Sequence, residues 1–464
     1  MKKVLFTALI TFISASLFAG GIENKTNMST GYLKNPSRNT ENKRPDAAFY
    51  NIAGTAFMKN GLYIEAGNQF IIKEYKNTLP SDIANPLTGT VALSSQGYND
   101  ETFVYLYPDA DIVYKHDKFA AFANFGIYAG GGKLEYSEGT GATALAFASS
   151  ALTYGAKAKE AQAAASQCAA AGDSVNAANY ENAAKQASAA ATALLTAANN
   201  HSFTVNSVTY GWQLGGSYAV TDYLAIALAG RLTYGSQELE VTSSDLSALN
   251  GGDEISYNAS ALGFTGLFGL HAKPLDGLDV SGQFAWRSKM NYEISDKKGT
   301  LLSKFVKEDE FRTDLAPVLN LGVGYQVMEP LYISTSFNYY FNNLADMNTA
   351  LGKSDYNNSF EIALGADYDI IKEVTASAGI AYGHQGVTDT ANNIFNPVLD
   401  SFQIGAGVEV KAIENLTVTG GVTWVKYFEK DYYASSNGQT AKLELSKPLL
   451  FMFSLGLTYH FPNL

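Results

Sequence analysis

From Gly61 onward the chain repeats one unit: a segment with two-residue alternation, a short turn, a second such segment, then a longer polar connection. The last segment shows it most fully. Leu449, Phe451, Phe453, Leu455, Leu457, Tyr459 and Phe461 share one face, and Leu450, Met452, Ser454, Gly456, Thr458 and His460 share the other. A period of two is the period of a β-strand. Large apolar side chains along one whole face suit lipid, and small or polar ones opposite suit a lumen. The pattern recurs at residues 331–342, 360–368 and 402–411, with Glu361, Asp367, Glu409 and Lys411 on the face away from the apolar one. A charge on the lipid face near the midplane would cost about 2–4 kcal/mol.

Beyond the N-terminus no apolar run approaches the roughly 20 residues of a spanning helix. Gly, Ser, Asn and Tyr interrupt every candidate. A closed barrel is the other structure that satisfies its backbone in lipid. Composition agrees: 42 Gly, 29 Tyr and 26 Phe against only 11 Pro, with mean hydropathy near zero as alternating faces require. Short connections at 116–118, 221–222, 273–277, 329–330, 371–372 and 413–415 read as periplasmic turns. Long ones at 76–101, 138–202, 244–252, 294–310, 347–354, 387–397 and 431–441 read as extracellular loops. This predicts an all-β, transmembrane antiparallel β-barrel of about fourteen strands over residues 61–464.

The N-terminus predicts export. Lys2 and Lys3 precede an uncharged apolar stretch from Val4 to Phe18, and Ala19-Gly20-Gly21 follows. That layout is a signal peptide over residues 1–19, and the expected location is the bacterial outer membrane. The net charge of −12 becomes two units more negative once Lys2 and Lys3 leave, which argues against nucleic-acid partners. Cys168 stands alone, so it forms no internal disulfide. Residues 20–60 are too many for a mere tail. Residues 142–198, within the loop 138–202, are Ala-rich and interspersed with Lys, Glu and Gln. They predict a helical hairpin broken at Gly172-Asp173, serving either as a solvated decoration or as a collector of apolar ligand.

Residues 45–58 read Pro45-Asp46-Ala47-Ala48-Phe49-Tyr50-Asn51-Ile52-Ala53-Gly54-Thr55-Ala56-Phe57-Met58, just ahead of Gly61-Leu62-Tyr63-Ile64. This resembles the hatch signature of the FadL family, outer-membrane transporters of long-chain fatty acids and aromatic hydrocarbons. Asn51 and Ala53 match its Asn-Pro-Ala core, and Ile52 stands where the family has proline. Phe103 to Pro108 is similar to the family's second strand. Asn124-Phe125-Gly126 is similar to its third, which kinks inward to open the wall. Tyr459-His460-Phe461 is similar to the aromatic end read by barrel assembly machinery. The resemblance covers about residues 40–137 and the C-terminus. It implies that residues 20–60 form a hatch plugging the barrel, with Phe49, Tyr50, Asn51, Ala53 and Phe57 as ligand or gating residues. It further implies a monomer that passes fatty acids or hydrocarbons from an apolar pocket sideways into the membrane. Gly126 suits a strand kink, and Gly130, within Gly130-Gly131-Gly132, is a rival site.

No sequence pattern points to catalysis, a cofactor or a metal. His116, His201, His271, His384 and His460 are scattered. Gly352-Lys353-Ser354 has Met347 where a phosphate loop needs its first glycine. Two alternatives stay open: a general diffusion porin for small hydrophilic solutes, and a surface structural or adhesive barrel.

Overall fold

The computed structural model describes residues 26–84, 91–100, 102–302, 309–349, 352–353, 357–386, 399–436 and 439–462. The expected signal segment 1–19, the start of the hatch at 20–25, the loop 387–397 and Ser354 lie outside the described residues.

The alternating segments form fourteen strands in one antiparallel meander. They are β1 (Gly61–Leu79), β2 (Gln96–Asp100, Phe103–Val104 and Pro108–His116), β3 (Phe119–Tyr136), β4 (Ser202–Thr221), β5 (Leu224–Thr242), β6 (Glu254–Leu275) and β7 (Leu278–Ala285 and Asn291–Lys298). The second half comprises β8 (Glu310–Thr313 and Val318–Met328), β9 (Leu331–Tyr340 and Met347–Thr349), β10 (Gly352–Lys353 and Ser359–Ile371), β11 (Val374–His384), β12 (Ser401–Ile413), β13 (Leu416–Tyr427 and Lys430–Ser436) and β14 (Gln439–Phe461). β1 pairs with β14 from Leu62↔Phe461 to Thr78↔Glu444, which closes the barrel. Closure leaves no free edge, the condition for strands in lipid.

The outer face shows why these strands belong in a membrane. Leu214, Leu228, Leu262 and Phe264 are each about two-thirds exposed, and Leu455, Leu457, Leu364 and Ile404 continue the band around the wall. A water-soluble protein seldom shows so large an apolar surface. The alternation predicted for 331–340 and 449–461 holds: Ser334, Ser336 and Asn338 are buried inward while Ile333 and Thr335 face out. Among the described residues, no helix is long and apolar enough to cross a membrane.

Three apolar layers lie inside. Near the short turns, Ile52, Ala53, Ala56 and Met58 pack against Val113, Phe122 and Leu267. At mid-height, Met28, Tyr32, Leu33 and Tyr50 face Ile71, Ile127 and Met452. At the mouth, the Ala-rich insertion forms α3 (Gly141–Ala170) and α4 (Ser174–Asn199), after the plug helices α1 (Thr30–Lys34) and α2 (Ala47–Tyr50). Thr140 and Thr143 cap α3 reciprocally, and Asp173 accepts from Asn176 N at 3.1 Å to start α4. The base of the hairpin is not decoration. Ala144, Phe147, Ala148, Leu194 and Ala197 are buried against Tyr98, Tyr136, Phe203, Leu239 and Leu443. The hairpin is therefore anchored at the mouth by its base, while its far end projects into solvent.

Candidate functional site

Residues 26–60 run through the lumen, and their charges decide how they are seated. Arg38 grips both oxygens of Asp46 at 2.7 Å and reaches Glu41 at 2.6 Å. Ser29 donates to the same Asp46 at 2.7 Å, which ties the start of α1 to the start of α2. Burial works against the charge on Asp46, yet the Arg38 and Arg44 guanidiniums hold its carboxyl below the usual range. Arg44 reaches the wall. It pairs with Glu65 at 3.0 Å and with Glu409, and donates to Thr419 and Thr458 at 2.8 and 3.2 Å. Lys34 pairs with Asp367 at 3.3 Å and Glu409 at 3.6 Å. The inward carboxylates of the sequence are therefore the seat of the plug's cations. Sequence reasoning placed Asp367 and Glu409 inside but missed Lys34 and Arg44 as their partners, and Arg38 as the residue that holds the plug together internally. Complementary charge between residues 26–60 and the inner faces was the available signal.

The expected hatch residues divide into two groups. Phe49 and Tyr50 pack edge to face at 4.8 Å, and Phe49 meets Tyr128 of β3 in the same way at 5.4 Å. Both line an internal space of about 50 Å³. Tyr50 donates to the Thr26 carbonyl at 2.6 Å and accepts from Met28 N at 2.8 Å. Asn51, Ala53 and Phe57 lie toward the short turns instead. Asn51 Nδ2 donates to the Glu41 carbonyl at 2.9 Å and lies 2.7 Å from His271 Nδ1, while its Oδ1 accepts from Gly54 N. Ala53 is fully buried. Phe57 lies under the Lys273 ammonium at 4.6 Å, lining a wide cationic space at the turn end with Lys43, Arg44, Lys59 and Lys411. The departure at Ile52 has a local reason: its N–H donates to Gln283 Oε1 at 3.1 Å, a bond proline cannot make.

β3 is irregular, and the irregularity opens a seam. Among the described residues, the ladder between β2 and β3 runs from His116↔Phe119 only as far as Ala110↔Phe125. Above it β3 pairs with β4 alone, and its register slips between Ile127 and Ala129 and again between Ala129 and Gly132. Gly126 is not the kink. It pairs regularly with Gly211, and a Cβ there would meet Met28 Cε at 2.5 Å, so glycine makes room for the plug. Gly130 lies in the slip, with φ of +92° and Ser207 O at 2.2 Å from any Cβ. Asn124 donates to Asp111 at 2.8 Å, and Phe125 stacks outward on Tyr210 at 6.4 Å.

Beside the seam lies a cavity of about 210 Å³ between plug and wall. Ile71, Val104, Ile127, Val425, Leu450 and Met452 give it apolar walls, with Asn27, Lys73, Glu361, Gln385, Ser401 and Gln403 among its polar groups. Gly130 and Gly132 border it. Leu106 also borders it, yet is 71% exposed, and its neighbour Tyr105 is 73% exposed. The cavity thus reaches from the plug to the exposed stretch of the wall at Tyr105 and Leu106. Tyr107 spans the seam by donating to the Ile127 carbonyl at 3.1 Å, and Thr102 reaches the Lys133 carbonyl at 3.2 Å above it.

The histidines do not assemble. His271 pairs with Asp279 at 2.9 Å, His384 with Asp400 at 3.0 Å, and His460 stacks on Tyr63.

No protein-family model matches the chain. Among solved structures, a Pseudomonas aeruginosa FadL homologue superposes with a TM-score of 0.64 at 15% identity, covering 95% of this chain and all of that one. The Pseudomonas putida toluene transporter TodX superposes with a TM-score of 0.57 at 13% identity, covering 96% of this chain and 100% of that one. Outer membrane protein P1 of Haemophilus influenzae is 26% identical over 155 residues, 31% of this chain and 34% of that protein. The match therefore spans about a third of the curated relative's length. These likenesses establish the fold, a bacterial outer-membrane barrel of the FadL type.

Proposed function

We propose that the protein passes small hydrophobic molecules across the outer membrane by a sideways route through its wall. The mouth receives the molecule, the cavity between plug and wall holds it, and the β2–β3 seam releases it into lipid. One observation carries the reading: a cavity with apolar walls that touches the plug on one side and the exposed Leu106, beside the seam, on the other. Each CH₂ taken from water into such a site gains about 0.8 kcal/mol. An internal apolar space of about 150 Å³ holds benzene, so about 210 Å³ suits one aromatic ring or a stretch of acyl chain. The similar proteins include a transporter of toluene, which supports that size class. The reading is of passage without catalysis. A diffusion porin needs a water-filled lumen, whereas ion pairs seat a plug across this one.

In this reading residues 1–19 direct export, and the barrel assembles as a monomer through the aromatic end of β14. Phe49 and Tyr50 gate the smaller space that adjoins the cavity at Thr26 and Tyr32, and Gly130 sets the seam. The test is initial uptake of labelled toluene and of a labelled long-chain fatty acid by cells lacking their own transporters. Saturable uptake of either that requires the full-length protein supports the reading. Uptake indistinguishable from cells without the protein would sink it.

A further inference from the structure

Low on the wall, three carboxylates meet inside the barrel: Glu65 of β1 with Asp109 and Asp111 of β2. All are almost wholly buried, and each offers one oxygen within 4.8 Å of the others'. Their hydrogen bonds leave much unused. Glu65 Oε2 accepts from Arg44 and from Thr458, but Oε1 has no partner. Asp111 Oδ1 accepts from Asn124, but Oδ2 has none. Asp109 is approached by the Gln69 side-chain amide, and neither of its oxygens receives a well-formed hydrogen bond. Gln69, on the same wall, has its amide engaged with Asn27 of the plug at 2.7 and 2.8 Å.

A second feature comes from the plug. Thr30, the first residue of α1, is fully buried and its Oγ1 is also unpartnered. That oxygen and both oxygens of Asp109 stand 2.7 to 2.8 Å from the point where Gly67 would carry a Cβ. Glycine at 67 is what lets the hydroxyl of the plug face the carboxylate of the wall. An unsatisfied hydroxyl and two carboxylates without a cation are costly to bury. The charges do not balance either. Three carboxylates have one guanidinium, Arg44, which they share with Glu409, so negative charge is in excess.

We infer that Thr30, Glu65, Asp109 and Asp111 form a site for a divalent calcium ion that latches the plug to the wall. The donors are all oxygen, the choice of a hard cation. Calcium–oxygen distances of about 2.3–2.6 Å allow ligands on opposite sides to stand about 5 Å apart, which the cluster meets. The enclosed, irregular donor set favours calcium over magnesium, which demands near-ideal octahedral geometry and keeps several waters. Its two charges offset that excess. The site does not depend on what the barrel transports, so its failure would leave the uptake reading standing.

The test is equilibrium dialysis of radioactive calcium against the full-length protein in detergent at neutral pH, paired with thermal melting. Wild type should bind calcium saturably at one site and melt several degrees higher in calcium than in chelator, with a smaller rise in magnesium. Asp109→Asn and Asp111→Asn should weaken binding at least tenfold, and Thr30→Val severalfold. Folding of the variants is checked by the same melts. In chelator the Asn variants should melt at or above the wild-type temperature, because they remove unpaired buried charge, and the order should reverse in calcium. Two results would overturn the site: no saturable binding by wild type, or equal binding by the Asn variants. A melt that follows pH and ignores calcium would show that the carboxyls are neutralised by protons instead.

Discussion

At the scale of single residues, the plug is fixed by few and heavily bonded side chains. Arg44 is the clearest. Its one side chain bridges residues 26–60 to β1, β12, β13 and β14, through Glu65, Glu409, Thr419 and Thr458. Removing one partner of a buried ion pair strands the other, at a cost of about 3–5 kcal/mol. Arg44→Ala should therefore loosen the plug without dissolving the barrel. Single-channel recording in planar bilayers should show open events that wild type lacks, and a silent variant would contradict the seat described here. The glycines of β3 illustrate a different residue-scale logic. Gly132 has positive φ with open space around it, so an alanine there costs only the conformational term of about 1 kcal/mol. At Gly130 the same strain is joined by a collision with the Ser207 carbonyl. Gly130→Ala should lower barrel stability clearly more than Gly132→Ala in urea unfolding from vesicles, and equal losses would remove Gly130 from the seam.

Elements behave as their sequences direct where local pattern dominates. Alternation produced the strands, and alanine with a Gly-Asp break produced the hairpin of α3 and α4. The hairpin's attachment was not legible, because it depends on which residues of a uniform Ala-rich stretch meet the mouth. His201 marks that attachment. Its Nδ1 donates to the Ala197 carbonyl at 2.8 Å, and its Nε2 accepts from Thr143, joining the end of α4 to the start of α3. Burial lowers its pKa to about 4, against an ordinary value near 6.5. The folded state thus prefers the neutral ring. Its contribution is complete above about pH 6.5 and is lost as pH falls toward 4. Hydrogen exchange at the hairpin base should rise across that window in wild type, and His201→Gln should flatten the dependence. A base equally protected at pH 4.5 and pH 7 would refute this role.

For the whole molecule, barrel closure, strand number and the inward placement of charge were readable because lipid imposes one rule on every strand. The seam was less so. Asn124-Phe125-Gly126 pointed to β3, but the distortion falls a few residues later, where Tyr128 and Gly130 answer to β4 and to the plug rather than to their neighbours in sequence. The plug's ionic seat needed the three-dimensional meeting of Lys34 and Arg44 with Asp367 and Glu409, hundreds of residues away.

The central claim is that the cavity beside the seam lies on the route of passage. Val425 is buried and lines it from β13, whereas Val422 on the same strand faces lipid. The decisive measurement is the initial rate of labelled toluene uptake for wild type, Val425→Phe and Val422→Phe at matched levels of folded barrel. Val425→Phe should cut uptake at least tenfold while Val422→Phe leaves it near wild type. Equal uptake by all three would place the route elsewhere in the molecule.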